Sequence, residues 1–208
     1  AAACPVVTDS QQIAERFQEM LGDESKIRAA SVSAIYLPET AAQVAGALAD
    51  LARQGKRCVL SAGRTGITGA VAPIDADAIV SLAKLNQALA VGRDNDGWYL
   101  RAQPGLTLKD LAQVFEKKAV LVLPGATAEE TRAAEALAAD KDLALWFPVD
   151  PTEQTAHLGG AVASNASGAR TFRHGATRDW VRALTVILAD GRALRLRRGQ
   201  VRAEDLRF

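Results

Sequence analysis

Residues 61–70 have the sequence SAGRTGITGA and follow residues 57–60, a short run with the composition of a buried strand. Three glycines recur in this loop at intervals of three and alternate with two threonines. Glycine allows positive φ and close backbone approach, so successive N–H groups can point into one concavity that binds phosphate oxygens. The stretch therefore predicts a phosphate-binding loop, with an ordinary glycine-rich connector as the alternative.

Two well-known nucleotide-binding motifs do not fit this loop. A Walker loop needs Lys followed by Ser or Thr, and no lysine occurs between Lys56 and Lys84. A Rossmann fingerprint opens a helix with a different glycine spacing, whereas here Pro73 follows almost at once. The loop therefore predicts neither of those two folds.

A second distinctive stretch, residues 148–179, has the sequence PVDPTEQTAHLGGAVASNASGARTFRHGATRD. Small residues dominate 159–168, so a large flat ligand could lie against the backbone there. The alternative is a flexible linker between two subdomains. Linkers rarely begin with a rigid run such as Pro148, Asp150 and Pro151. A long structured loop in a compact domain is more often a binding loop than a linker.

Apolar periodicity and turn residues predict helices and strands that alternate along much of the chain. The predicted helices cover 8–21, 39–54, 108–118 and 128–139, and the predicted strands cover 32–37, 57–60, 78–82, 98–102, 120–123, 181–189 and 193–198. Strands separated by helices predict an α/β or α+β fold.

The composition is that of an ordinary globular protein, with 49% hydrophobic and 24% charged residues. A net charge of +1 gives no reason to expect nucleic acid or an acidic membrane as partner. Two cysteines, Cys4 and Cys58, do not make a disulfide scaffold, and no Cys/His pair has zinc-ligand spacing, so we expect no metal site. The low cysteine content predicts a reducing compartment, the cytoplasm, and the sequence contains neither a membrane-length apolar run nor a signal peptide.

The motifs, taken in order, resemble the flavin-binding domain of the vanillyl-alcohol oxidase/p-cresol methylhydroxylase superfamily. They are SAGRTGITGA, SLAKLNQAL, AQPGLTLKDL, FPVDPTEQTAHLGGAVASNASGAR and RHGATRDWVRALTVILADGRALR. The resemblance runs from about Ile35 to Arg197 and is greatest to the branch that contains glycolate oxidase and D-lactate dehydrogenase. It implies an α+β fold in which FAD lies between two subdomains. Family members continue well beyond the last predicted strand, so we expect the second subdomain to be incomplete by Phe208.

The resemblance also implies which residues bind FAD. The pyrophosphate loop would comprise Gly63, Arg64, Thr65, Gly66, Ile67, Thr68 and Gly69. Pro148 and Asp150 would lie in the run beside the flavin-ribityl region, and the flavin cleft would be lined by His157, Gly159, Gly160, Ser164, Asn165 and Gly168.

The sequence departs from the family pattern at three places. Position 64 is commonly Gly in the D-lactate branch and is Arg64 here, either directed towards the phosphates or facing solvent. The residue before Leu158 is often Ser or Thr in the family and is His157 here. Residues 125–147 form an insertion, for which we expect an added helix and assign no function.

Four segments are expected on this basis. They are a helical lead-in (1–30), a first FAD-binding subdomain (31–124), the inserted helical segment (125–147) and a flavin-cleft segment with the start of the second subdomain (148–208).

The function implied by the resemblance is oxidation of a small 2-hydroxy acid, of the D-lactate or glycolate type, by hydride transfer to non-covalently bound FAD. An iron–sulfur partner or a quinone would accept the electrons, and a peripheral position at the inner face of the membrane is left open. Catalytic residues are expected beyond Phe208, and the 208-residue chain alone is expected to be inactive. A non-catalytic FAD-carrying protein of an electron-transfer complex is the alternative.

Other conspicuous residues have a structural interpretation. We predict a packing role for His174, and core positions for Trp98, Trp146 and Trp180. The alternation of leucine and arginine over residues 194–197 predicts a strand with one buried and one solvated face.

Overall fold

The structure, a computed structural model, describes residues 3–118, 125–149 and 152–202. Its helices are α1 (Ser10–Arg16), α2 (Ala41–Arg53), α3 (Leu108–Lys117), α4 (Ala128–Ala139), α5 (Leu158–Ala163) and α6 (Thr171–His174), with 3-10 helices at Gln18–Leu21 and Thr177–Trp180. Its strands are β1 (Val6–Val7), β2 (Ala34–Tyr36), β3 (Cys58–Ser61), β4 (Ala78–Ser81), β5 (Ala88–Asp94), β6 (Gly97–Ala102), β7 (Ala183–Ile187) and β8 (Ala193–Arg197).

The central sheet has the strand order β1-β2-β4-β3, in which β2, β4 and β3 are parallel and β1 is antiparallel to β2. Strand β4 is buried at every position. Because successive side chains alternate between faces, Ile79 packs towards Ile13 of α1, whereas Val80 packs towards Leu48 of α2. The sheet is therefore covered on both faces, as expected for parallel strands.

The two helices that cover this sheet begin at side-chain caps. The Thr40 hydroxyl accepts a hydrogen bond from the Gln43 backbone N–H at 3.2 Å at the start of α2, which has nearly its predicted bounds. The Asp9 carboxylate caps α1 in the same way. The single helix predicted over 8–21 is wrong, because Phe17 leaves helical geometry at φ −126° and a tighter 3-10 turn follows.

Strands β5 and β6 form a separate two-stranded antiparallel hairpin, and β5 was not predicted. The predicted helix α4 packs against this hairpin through Leu137, which meets Val91. Its capping-box residue Glu130 is 5% exposed and receives two hydrogen bonds from Arg101 of β6 at 2.9 and 3.1 Å. The buried carboxylate is thus paired, and the pair fixes α4 on the hairpin.

The β7–β8 hairpin contacts the rest of the protein at both ends. The Arg182 guanidinium donates to the Asp94 carboxylate and to the Asp96 carbonyl, both at 2.6 Å, in the β5–β6 turn. At the other end Gly191, with φ +84°, lies so close to α2 that a Cβ would come within 2.6 Å of the Ala45 carbonyl oxygen.

Two expectations about apolar side chains are wrong. The leucine face of the β7–β8 hairpin is not buried by the described residues, since Leu184 and Leu194 are 38% and 42% exposed. Trp146 and Trp180 are 50% and 45% exposed, and only Trp98 is partly buried in a core cluster.

The ring of His174 nonetheless packs edge-on against Trp146 at 5.1 Å between centroids, as its predicted packing role requires.

The predicted strand 120–123 lies outside the described residues.

Candidate functional site

The glycine-rich loop leaves the sheet at the carboxyl end of β3, immediately after the buried Ser61. Positive φ occurs at Gly69 (+74°) and at Arg64 (+56°), but not at Gly63 or Gly66. The left-handed turn near the start of the loop is therefore made by an arginine, for which this conformation is strained.

The second distinctive stretch comes into direct contact with this loop. A Cβ on Gly63 would lie 3.1 Å from the His157 backbone nitrogen and 3.2 Å from the Thr155 carbonyl oxygen. Further along, the Gly159 N–H donates to the Pro104 carbonyl at 2.8 Å, and a Cβ on Gly159 would collide with the Pro104 ring. The glycine at 63 thus permits the close backbone approach that brings the two predicted site segments together, and the glycine at 159 permits α5 to approach Pro104.

His157 occupies the N-cap position of α5, beside the loop. Its Nδ1 atom is buried and has no hydrogen-bond partner among the described residues. Burial, and secondarily the nearby Arg64 cation, lowers the pKa of His157 below its ordinary value of 6.5, while Asp110 acts in the opposite direction. The imidazole is therefore neutral at physiological pH.

Arg64 lies over the loop rather than in solvent, with 21% of its side chain exposed. Its Nη1 is 3.4 Å from the Ala62 carbonyl oxygen, and its Nη2 is 3.5 Å from the Glu19 carboxylate. Residues 61–70 contain no acidic side chain, so Arg64 gives the loop a positive charge.

The outer part of the loop is open. A Cβ on Gly66 would meet no atom within 4 Å, and Ile67 is 77% exposed. Thr68 is exposed as well, and Thr65 is half-buried. This part of the loop is therefore accessible to a ligand.

The predicted residues after α5 are held by local hydrogen bonds. The Ser164 hydroxyl donates to the Gly160 carbonyl at 2.8 Å, and the Asn165 side-chain oxygen accepts from the Arg178 N–H at 3.0 Å. The Gly168 N–H donates to the Thr171 hydroxyl at 2.7 Å. A helix of six residues rises about 9 Å, so Ser164, which directly follows α5, lies roughly that far from His157 along the helix axis.

Two other predicted residues, Pro148 and Asp150, come at the start of the stretch 148–179. Pro148 is buried, beside the buried Val149. Asp150 lies outside the described residues.

Sequence reasoning missed three residues of this region. Thr177 is 1% exposed, and its N–H and hydroxyl both donate to the Ala166 carbonyl, which closes the turn after α5. Ser61 carries a buried hydroxyl with no hydrogen-bond partner in the described part of the chain. Glu19 contacts the loop from 45 residues away, and no local sequence pattern indicates such a contact.

Across residues 3–118, 125–149 and 152–202, no helix is long and apolar enough to cross a membrane. In the same ranges no three His, Cys, Asp or Glu side chains are grouped to hold a metal ion. Cys4 and Cys58 are free thiols.

Comparison with known proteins identifies relatives by sequence. A family profile described as "FAD binding domain" matches residues 32–132 and 131–197. The chain is 31% identical over 180 residues to a D-lactate dehydrogenase of Anaerostipes hadrus, covering 86% of this chain and 32% of that protein. It is 28% identical over 173 residues to a D-2-hydroxyglutarate dehydrogenase of Xanthomonas citri pv. viticola, covering 81% of this chain and 30% of that protein. The chain thus spans about a third of the length of these curated relatives.

Solved structures share the fold at low identity. The chain superposes on 6-hydroxy-D-nicotine oxidase of Arthrobacter nicotinovorans with a TM-score of 0.66 at 16% identity, covering 96% of this chain and 37% of the oxidase. A chitooligosaccharide oxidase gives 0.63 at 19% identity, covering 93% and 35%. The expected α+β fold of the p-cresol methylhydroxylase type is confirmed.

The side chains around the loop fit the diphosphate of FAD. Ser61 Oγ and His157 Nδ1 are two of the three buried polar side-chain atoms without partners in the described chain, the third being Asp23 Oδ2. Arg64 supplies a cation near His157. Space is open where Cβ atoms would stand at Gly66 and Gly160. An anionic ligand can pair with the unsatisfied polar atoms and with the positive charge. A long, narrow ligand can also lie in the space beside the two glycines.

Proposed function

Because the chain belongs to the FAD-binding domain family, we propose that it is the cofactor-holding part of a dehydrogenase that oxidises small 2-hydroxy acids. The observation that carries this proposal is the contact of Gly63 with His157 and Thr155. It joins the glycine-rich loop to the segment of small residues, so that one extended ligand can lie along both.

The glycine-rich loop would hold the FAD diphosphate. Backbone N–H groups of residues 63–69 are neutral donors, and Arg64 adds a charge-assisted contact to the phosphate oxygens. Thr65 and Thr68 have hydroxyls that can donate in addition. A side chain at Gly66 would project into the space that the ligand needs.

The segment from His157 to Gly168 would hold the flavin end. Gly159 and Gly160 keep the first turn of α5 free of side chains, and one of the two faces open space. Asn165 is fixed by its hydrogen bond to Arg178, which sets the path of the backbone after the helix. Pro148 and Asp150 would complete this wall from the preceding run.

His157 would position FAD without a covalent bond. Its imidazole is held neutral by burial and by Arg64, and its orphaned Nδ1 can pair with a polar group of the ligand. Because the histidine is neutral, Arg64 is the cationic side chain of this site that can contact the diphosphate.

The substrate class follows from the relatives named D-lactate dehydrogenase and D-2-hydroxyglutarate dehydrogenase. When bound, FAD would supply the two-electron acceptor for the hydride of the substrate's C–H bond. The residues of this chain bind and orient the cofactor, and the group that takes the hydroxyl proton would be supplied outside it. A cytoplasmic location, with an iron–sulfur protein or a quinone as electron acceptor, completes the proposal.

Cofactor extraction from the complete purified protein tests this function. Acid precipitation should release a yellow flavin that chromatography identifies as FAD, and the protein should reduce an artificial acceptor with D-lactate, D-2-hydroxyglutarate or glycolate. Release of FMN, or a flavin that stays with the precipitate, would contradict the non-covalent FAD site. FAD without turnover of any 2-hydroxy acid would instead favour an FAD-carrying electron-transfer protein.

A further inference from the structure

The FAD-binding family match begins at residue 32, yet residues before it contact the glycine-rich loop. We call residues 18–29 the N-terminal segment. It contains the 3-10 helix Gln18–Leu21 and the turn that follows. Nothing in the family match assigns this segment a part in cofactor binding.

Three contacts join the N-terminal segment to the loop. The Glu19 carboxylate lies 3.5 Å from Arg64 Nη2, and the Glu24 backbone N–H donates to the Arg64 carbonyl at 3.3 Å. Gly69 lies against Ile27, whose Cδ1 is 2.8 Å from the position of a Cβ on the glycine. The segment therefore touches the loop at both of its residues with positive φ.

The two charged side chains at this contact differ in their exposure to solvent. The Arg64 side chain is 21% exposed, whereas that of Glu19 is 77% exposed. The guanidinium thus stays over the loop, while the carboxylate approaches it from the solvent side. Arg64 uses the same N–H donors for a carboxylate as for a phosphate.

We propose that Glu19 competes with the phosphates of FAD for Arg64. This inference rests on the proposed function, because it concerns the same loop. In the FAD-free protein Glu19 neutralises the guanidinium. Binding of the diphosphate exchanges this carboxylate for phosphate oxygens and displaces Glu19 into solvent, since the two anions repel each other at such short range.

The expected size of the effect is small but measurable. Exposed ion pairs contribute up to about 1 kcal/mol, which corresponds to about a fivefold change in affinity. Removing the carboxylate charge should therefore tighten FAD binding about two- to fivefold. Because one partner is exposed, the gain should shrink as salt concentration rises.

A double-mutant cycle on the complete protein tests this competition. FAD is titrated into FAD-free parent, Glu19→Gln, Arg64→Gly and the double variant, at low and high salt. Glycine is chosen at position 64 because it keeps the left-handed backbone without strain. Glu24→Gln is the matched control, since it removes one charge from the same segment while its side chain pairs with Lys26 and not with Arg64.

The competition predicts tighter binding for Glu19→Gln, no further gain from Glu19→Gln in the Arg64→Gly background, and parent affinity for Glu24→Gln. If Glu19→Gln binds FAD with the same affinity as the parent or more weakly, the proposed competition is overturned. An equal gain in Glu24→Gln or in the Arg64→Gly background would also overturn it, because the effect would then be general electrostatics. If the parent itself fails to bind FAD, the proposed function fails and this inference with it.

Discussion

Gly63 and His157 are in backbone contact, with only 3.1 Å between the histidine nitrogen and the place where a glycine Cβ would stand. The contact joins two stretches whose sequence separation is more than ninety residues. It sets the distance between the loop that carries Arg64 and the helix that begins at Leu158.

A negative charge at Gly66 should weaken FAD binding without affecting the fold. A Cβ there meets no atom within 4 Å, so Gly66→Asp is tolerated by the FAD-free protein. The carboxylate would face the phosphates, and we expect at least a tenfold loss of affinity, or about 1.4 kcal/mol. FAD titration and thermal unfolding of the FAD-free variant measure the two effects. Gly66→Ala is the control for size alone, and an unchanged FAD affinity in Gly66→Asp would place the diphosphate elsewhere.

Replacing Arg64 should weaken FAD binding without lowering the stability of the FAD-free protein. Arg64 has φ +56°, a conformation that costs a non-glycine residue about 1–2 kcal/mol. Arg64→Gly should therefore leave the FAD-free protein as stable as the parent or more so. It should weaken FAD binding by about ten- to a hundredfold, since a charge-assisted hydrogen bond contributes about 1.5–3 kcal/mol.

The salt dependence of FAD binding should also be shallower in Arg64→Gly than in the parent. Arg57→Ala is the matched control, because it removes the same charge at the opposite end of β3. If both variants bind FAD with the same affinity and salt dependence as the parent, Arg64 has no contact with the cofactor.

Two glycines of positive φ near the C-terminal hairpin should differ in their tolerance of alanine. Gly191 (φ +84°) would bring a Cβ within 2.6 Å of the Ala45 carbonyl oxygen, whereas Gly199 (φ +77°) has no atom within 4 Å. Gly199→Ala should cost about 1 kcal/mol for the backbone conformation alone. Gly191→Ala should cost at least about 1 kcal/mol more, because either α2 or the hairpin must move. Urea unfolding measures both, and equal free energies would argue against the docking of the hairpin on α2.

His157 should make the FAD-free protein less stable in mild acid. Its pKa in the folded state is lowered from 6.5, chiefly by burial, so the unfolded chain binds a proton more readily. Stability is then fully present above pH 6.5 and falls as the pH decreases towards the folded-state pKa.

His157→Thr should flatten the pH dependence of unfolding below 6.5. The same slope in parent and His157→Thr would show that the imidazole titrates freely in the folded protein.

The elements that the sequence predicted well are those whose local signals agree with their packing. Helix α2 has a threonine cap and a glycine stop, with Leu48 and Leu51 on its inner face, and its ends differ from prediction by one or two residues. Strand β5 was missed because Gly92 interrupts it, and the ring of Tyr99 on β6 fills the place of a side chain there. The turn Asp94–Gly97, in which Gly97 has φ +100°, is the sequence feature from which that hairpin could have been predicted.

The candidate site was predictable where it is continuous in sequence. Spaced glycines and small residues indicated the two stretches, but not which glycine adopts positive φ or that Gly63 meets His157. The contacts of Glu19 and Ile27 with the loop depend on tertiary packing, and the orphaned Ser61 hydroxyl depends on burial. Local pattern carries no information on either.

Hydrogen exchange of the FAD-free and FAD-loaded complete protein, followed by mass spectrometry, tests the central claim most directly. The claim is that one FAD lies along both the glycine-rich loop and the segment after His157. FAD should slow exchange of backbone amides in residues 63–69 and 159–168 together, and leave the α4 helix unchanged. Protection confined to other parts of the chain, such as the β7–β8 hairpin, with no change in these two stretches would contradict it.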